Sequence, residues 1–431
     1  LRRALLIAAI CVAGFARAAA FGEWSQPAMV FDGAEAIGHP AIAADGADRI
    51  VLVWTVYSGS DPQSQHLYGA ALRGGDSWST PRAILDGPTT DVPVLAADPF
   101  AELHLLWDST LARADYGRLF VDPAAGPAHI SGRDVADSND YPFLWAGADG
   151  RLHLVYGERG TSGVAYRSSA DGGGSWSAPV QIAPPSMPTR LADYARLAGS
   201  DDGVLHVVWS EFDRPGGSPV GVFYARSTDG GATWSPAVPL AGPGANQVNV
   251  ASSGNHAMHV VWNGTHGAEG RYHRWSNDGG ITWWPAQQIV DRGTADGLPQ
   301  VMVDSAGALH LITAYDGDIW HAAWDGGQWS EPECVSCSGT KNHQQAGEPA
   351  AIVVDGNVLH VAYGLERHQL LHTIAQLPSP RRTPPPPLRV GWWSDRFWHR
   401  DLERVPALLG IIASIALVRT VRRARTARVP R

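Results

Sequence analysis

Cysteine is scarce in this chain. There are 3, at Cys11, Cys334 and Cys337, too few for a disulfide framework or for a metal site built from Cys alone. A basic surface is also lacking, since residues 19–377 hold 18 Lys+Arg against 39 Asp+Glu. That balance excludes nucleic acid as a partner, because phosphate binding needs a basic face that releases counterions. No long hydrophobic run occurs either. The best candidate, residues 405–418, has 14 residues and reaches about 21 Å along a helix, against a bilayer core of about 30 Å. What is plentiful is 48 Gly, 31 Pro and 18 Trp, which suits many short strands joined by tight turns and predicts an all-β fold.

The two ends read as export and attachment. Leu1-Arg2-Arg3, an apolar stretch over residues 4–15 and Ala16-Arg17-Ala18 follow the order of a secretory signal over 1–18, with an uncleaved anchor as the other reading. Ile10 before Cys11 argues against lipidation. After Gln376, Pro378-Ser379-Pro380 and the prolines 384–387 predict a stiff linker over 377–391. Trp392, Trp393, Phe397 and Trp398, the run 405–418, and then six Arg over 419–431 predict a membrane-anchor helix within 392–431 with a basic cytoplasmic end. A helix lying on the membrane surface is the alternative for so short a run. The expected location is the cell envelope, anchored to the cytoplasmic membrane with the globular part outside.

That globular part, residues 19–376, is repetitive. An apolar strand followed by Leu-His-Val-Val-Trp or a relative recurs at 50–54, 103–107, 152–156, 205–209, 258–262, 309–313 and 359–363. Six copies carry a histidine, at His104, His153, His206, His259, His310 and His360, with Val51 in the first copy. Seven units of about 50 residues, each with four antiparallel strands, predict a seven-bladed β-propeller whose sheets bury their faces on one another. The seventh unit supplies only three strands. Trp24-Ser25-Gln26-Pro27 matches the outer-strand starts at Trp176, Trp234 and Trp329, so the N-terminal strand is expected to join the last blade and close the ring.

Three turns share one pattern: Ser169, Asp171, Gly173, Ser175 and Trp176; Ser227, Asp229, Gly231, Thr233 and Trp234; Ser276, Asp278, Gly280, Thr282 and Trp283. The Asp can accept N–H bonds inside its own turn, the Gly can take positive φ, and the Trp can pack the next strand onto the blade. At these positions the chain resembles the Asp-box, or bacterial neuraminidase repeat, propellers of the sialidase-like superfamily. Shortened versions lie at Asp325–Trp329 and Gly74–Trp78. The resemblance implies that the boxes are structural and lie on the face opposite an active site. Sialidases have six blades, which leaves six as the alternative count.

Two residue groups resemble chemistry without requiring it. The repeated His fall in different blades and cannot converge on one ion, so they read as buried structural groups. Cys334 and Cys337 predict a local disulfide, with a redox or metal pair beside Lys341 and His343 as the other reading.

Function in a propeller gathers where the innermost strands begin. His39, Asp91, Asp140, Tyr141, Asp193, Tyr194, Asn249, Gln300 and Glu348 are expected to ring an acidic channel mouth. Glu158, Arg159, Glu211, Asp213, Arg214, Glu269, Arg271, Glu366 and Arg367 lie in the neighbouring loops. Such a rim suits a sugar, a protein partner or a structural cation, and plain solvation of loop tips is the other reading. No cofactor is implied. The resemblance would require three Arg, a Tyr-Glu pair and an Asp for sialidase activity, but the Arg-Ile-Pro motif is absent and His39-Pro40 stands in its place. Arg159, Arg190, Arg196, Arg214, Arg271 and Arg367 are candidate substitutes, and their spacing selects no three. The reading is an exported, tethered propeller that binds a glycan or protein, without assigned catalytic residues. An exo-α-sialidase or related exo-glycosidase with a diverged site is the alternative.

Overall fold

The computed structural model describes residues 22–382 except 46–48, 58–64, 74–76, 86–91, 110–112, 123–125, 129, 131, 139–140, 160, 188, 255, 266, 268, 291–294 and 338–345. The expected signal and anchor lie outside the described residues. So do Asp91, Asp140, Lys341 and His343. Among the described residues no helix is long and apolar enough to cross a membrane. The chain divides into two units, Leu1–Pro384 and Pro385–Arg431, and every described residue is in the first.

Seven antiparallel sheets form the blades of a propeller, each a meander running outward from an innermost strand. The innermost strands are Ala36–Ala44, Val94–Ala97, Phe143–Ala146, Leu191–Gly199, Ala245–Ser252, Ala295–Val303 and Gly347–Val354. The second strands carry the repeated Leu-His motif and read as continuous apolar runs because neighbouring blades cover both faces. Leu152–Gly157 and Met258–Gly264 are buried at every position. Seven buried clusters result, one in each layer between adjacent blades. The ring closes as expected: Ala28–Asp32 pairs with Gln369–Gln376, and the Ser25 N–H donates to the Ile374 carbonyl at 2.9 Å.

Blade 2 departs from the repeat, having a two-stranded ribbon of Val121–Asp122 and Gly126–Pro127 before its outer strand. The first residues of the expected linker contact the propeller. The Leu377 N–H donates to the Asn357 carbonyl at 2.8 Å, and Arg381 pairs with Asp355 at 2.6 Å. Residues 377–382 are therefore fastened to the propeller through hydrogen bonds that proline-rich composition does not reveal.

The histidines and box tryptophans belong to one repeated clasp between blades. His104, His153 and His206 each bond through Nδ1 to a tyrosine on the third strand of the same blade, Tyr116, Tyr166 and Tyr224, at 2.7–2.8 Å. Each phenol then donates to a carbonyl in the next blade's Asp box: Gly172 at 2.8 Å, Gly230 at 3.2 Å and Gly279 at 3.4 Å. The box tryptophans Trp176, Trp234 and Trp283 stand edge-on to the same three rings, with centroids 5.5, 5.4 and 5.0 Å apart. The tryptophan thus packs on the preceding blade and not merely within its own, as the sequence pattern suggested.

In the next three blades histidine replaces tyrosine, as His273, His321 and His372. Trp329 donates its indole N–H to His273 Nδ1 at 3.1 Å. An indole only donates, so His273 carries its proton on Nε2 and gives that hydrogen bond to His259. Blade 1 has Val51 and Gly69 at the clasp positions because blade 2 offers no box. A Cβ on Gly69 would meet the Pro127 ring at 3.1 Å.

Burial dominates the titration of these imidazoles. It lowers His153, His206, His259 and His360 to about 4 and His372 to about 3. They are neutral structural groups.

Candidate functional site at the channel mouth

Third strands end in the Asp-box turns, so in an up-and-down meander these turns lie at the end opposite the start of the innermost strand. The box carboxylates are saturated within their own turns. Asp229 Oδ1 accepts from Ser227 Oγ at 2.7 Å and from the Thr233 N–H at 2.9 Å, and Oδ2 accepts from Thr233 Oγ1 at 2.5 Å. Asp171 and Asp278 repeat the arrangement. The Thr233 hydroxyl and N–H and the Ser227 hydroxyl hold the Asp229 carboxyl down at about 2. Both oxygens of each carboxylate are engaged inside the turn, so these groups shape it.

The opposite end is irregular in a repeated way. The innermost strands bulge between Ile37 and Pro40, Asp193 and Arg196, Asn246 and Asn249, Asp296 and Gln300, and Gly347 and Ala350. The residues expected to precede these strands, His39, Tyr194 and Glu348, are inside the bulges. Left-handed backbone recurs there, with φ of 62° at Tyr141, 52° at Tyr194, 48° at Gln247 and 47° at Glu348. Side chains of this kind rarely adopt such a conformation, which costs about 1–2 kcal/mol at each position. Strain that recurs at corresponding positions of the innermost strands, as at Tyr194, Gln247 and Glu348, is a pointer to function.

Polar partners fix the strained backbone. The Tyr141 N–H donates to Asp108 Oδ2 at 3.2 Å, and the Tyr194 N–H donates to Asp193 Oδ1 at 2.7 Å. Fully buried Arg271 donates to the carbonyls of Gly297 and Ala314 at 3.1 and 3.4 Å. It braces blade 6 from within the wall.

At this end a tyrosine pair stands beside His39, which lines a cavity of about 220 Å³. Tyr141 and Tyr194 stack with centroids 4.4 Å apart. His39 stands edge-on to Tyr141 at 6.5 Å and forms an ion pair with Glu348, joining the first blade to the last. Burial raises the Tyr194 phenol, as does nearby Asp193, while hydrogen bonds with Tyr141 and Gln247 act the other way. His39, Phe143, Arg196, Asn249, Gln300 and Glu348 line the cavity.

Of the residues expected at the mouth, His39, Tyr141, Tyr194, Asn249, Gln300 and Glu348 come together there. Asp193 is buried beneath Tyr194. Glu158 accepts from Thr161 Oγ1 at 2.5 Å, Arg159 follows it in the turn between the second and third strands of blade 3, and Arg214 is exposed 3.8 Å from Asp213. Glu211 is engaged by Ser186, and Arg190 is 3.9 Å from it. Among the candidate Arg that are described, Arg196 alone lines the cavity. The expected acidity of the mouth is not found among the described lining residues, where Glu348 is the one carboxylate and is tied to His39.

Two groups elsewhere are close enough to hold a metal. In one, Asp98 Oδ1 already accepts the N–H groups of Phe100 and Glu102. In the other, Cys334 and Cys337 are bonded to each other as a disulfide.

The fold and the internally bonded turns define the class: an all-β, seven-bladed propeller whose turns are similar to the Asp boxes of sialidase-like propellers. Residues 124–324 match the family described as the BNR repeat-like domain. No curated protein matches the chain. Among solved structures, a protein of unknown function from Dyadobacter fermentans is 16% identical, with 82% of this chain and 99% of that chain covered and a TM-score of 0.51. The polysaccharide lyase Uly1 is 12% identical over 79% of this chain and 90% of its own, with a TM-score of 0.53. An ulvan lyase bound to -[GlcA(1-4)Rha3S]- is 12% identical over 80% and 95%, with a TM-score of 0.54. At these identities the likeness is one of fold.

Proposed function

We propose that this chain is an exported, membrane-tethered propeller that binds a glycan at its channel mouth without sialidase activity. The observation that carries the reading is the stacked Tyr141–Tyr194 pair, on left-handed backbone, beside the His39–Glu348 pair that lines the cavity. Aromatic faces pack on the C–H faces of a sugar while imidazole, amide and carboxylate groups meet its hydroxyls. Polysaccharide lyases among the solved relatives show that the fold is compatible with glycan recognition. Export and tethering rest on the composition of residues 1–18 and 392–431.

Geometry argues against the exo-sialidase alternative. Three guanidiniums would have to converge on a substrate carboxylate, and Arg196 is the one that reaches the cavity among those described. For a related exo-glycosidase of the two-carboxylate kind, the carboxyl groups would stand about 5–9.5 Å apart, and the described lining supplies Glu348 alone. The test is a glycan array probed with the full-length chain and with Tyr194→Ala, alongside release of 4-methylumbelliferone from α-sialosides. Binding to a defined glycan set that is lost in Tyr194→Ala, with no turnover, is the expected result. Turnover by the wild type that Arg196→Ala abolishes would replace this reading with the enzyme.

A further inference from the structure

Arg196 is the one feature of the mouth that glycan binding in general does not explain. Its residue is 4% exposed, yet it lines the cavity. The bulge between Asp193 and Arg196 turns it inward, over the Phe143 ring at 5.1 Å. Nη1 donates to the carbonyls of Ala195 at 2.8 Å and Tyr141 at 3.4 Å. Among the described residues, no carboxylate lies within ion-pair distance of its guanidinium, and Nε and Nη2 have no hydrogen-bond partner. The contrast with Arg271 is direct, because Arg271 is bonded into a wall and Arg196 borders open space.

A cation withdrawn from water with no carboxylate in direct contact is costly, and an anion entering the cavity would offset that cost. Burial already pulls the Arg196 guanidinium down to about 10, opposed by Asp193, Tyr194 and Tyr141. The unengaged edge bears Nε and Nη2 side by side, and this fork matches the two oxygens of a carboxylate. The Tyr141–Tyr194 stack adjoins Arg196 through the Tyr141 carbonyl, and His39 lines the same cavity. The volume, about 220 Å³, is below the roughly 300–1,000 Å³ of sites for drug-sized ligands, so it suits a single sugar residue.

We infer that the mouth is specific for uronic-acid glycans, with the carboxylate of one residue on the open edge of Arg196 and its ring on the tyrosine pair. This rests on the glycan-binding reading above and specifies its ligand class. One guanidinium serves one planar carboxylate, whereas a sulfate ester presents three oxygens in a tetrahedral array.

Calorimetry on the full-length chain tests this with four probes: tetragalacturonate, its carboxyl-reduced tetrasaccharide, a sulfated galactan tetrasaccharide and sodium acetate. Tetragalacturonate is expected to bind at least tenfold more tightly than the reduced and sulfated forms, with acetate far weaker. Arg196→Gln should erase the preference for the carboxylate, bringing the acidic and reduced sugars to equal affinity. Arg196→Lys should retain only part of the preference, because the charge persists without the fork. The wild-type comparison needs no variant to fold. Equal affinity for the acidic and reduced sugars, both lost in Tyr194→Ala, overturns the uronate inference and leaves glycan binding standing. Tighter binding of the sulfated form, or acetate binding as well as the tetrasaccharide, also overturns it. Binding of no sugar overturns both readings.

Discussion

The two ends of the propeller treat polar groups in opposite ways. At the Asp-box end, carboxylates, hydroxyls and amides satisfy one another inside each turn, and the Tyr116, Tyr166 and Tyr224 phenols reach across to fasten the next blade. Within the box turns, left-handed backbone falls on glycine, as at Gly173, Gly231 and Gly280. At the mouth the same conformation falls on Tyr141, Tyr194, Gln247 and Glu348, and a buried guanidinium faces a cavity. One end is built for consistency between local preference and fold; the other carries strain in exchange for placing specific side chains.

The comparison can be broken most severely with acid. Seven imidazoles of the clasp are lowered by burial, so between pH 6.5 and about 4 the unfolded chain binds more protons than the folded one. Their stabilising contribution is complete above about pH 6.5 and is lost as pH falls through about 4. Thermal midpoints measured from pH 8 to pH 4 should fall steeply through that window. A flat profile would mean that the clasp does not hold the blades.

Next in size is Gly280→Ala. Its φ is 76°, and a Cβ would come 1.9 Å from the Tyr224 hydroxyl, combining left-handed strain with overpacking for a loss of about 3 kcal/mol in urea unfolding. A smaller effect is expected from Tyr224→Phe. It removes the hydroxyl shared by His206 and Gly279 and should cost about 1–3 kcal/mol by the same measurement. The smallest should be Tyr194→Gly at the mouth. Relief of about 1–2 kcal/mol of backbone strain there offsets the lost ring packing, so stability changes by less than about 1 kcal/mol while glycan affinity disappears. Destabilisation as large as that of Gly280→Ala would show that the mouth tyrosines are structural.

The architecture was legible because the second-strand motif and the Trp-Ser starts repeat at a fixed interval. Even the closing strand at Trp24 could be matched to Trp176, Trp234 and Trp329. The clasp was half visible. The histidines stood out, but their partners lie 11–18 residues away, a separation set by variable hairpin loops, so pairing register was needed to find them. Val51 looked like a defect in the repeat until Gly69 and Pro127 supplied the reason.

The mouth was least legible. Tyr141, Tyr194 and Glu348 were found by position, but nothing in those residue types signals a left-handed bulge. Asp193 looked like a rim carboxylate and is instead engaged beneath Tyr194. Arg196 was one of six candidates. A one-residue shift in a strand reverses the face on which a side chain emerges, and only the bulge decides that Arg196 points inward. Gln247 and Phe143 went unnoticed, though their offsets from Asn249 and Tyr141 could have placed them.

The most direct test of this division of labour measures glycan affinity and thermal midpoint together for Tyr194→Ala and Asp229→Ala in the full-length chain. The account predicts a crossed result: Tyr194→Ala loses the glycan and keeps its midpoint, while Asp229→Ala melts earlier and keeps the glycan. Loss of affinity in Asp229→Ala at a temperature where it is fully folded, or an unchanged affinity in Tyr194→Ala, would contradict it.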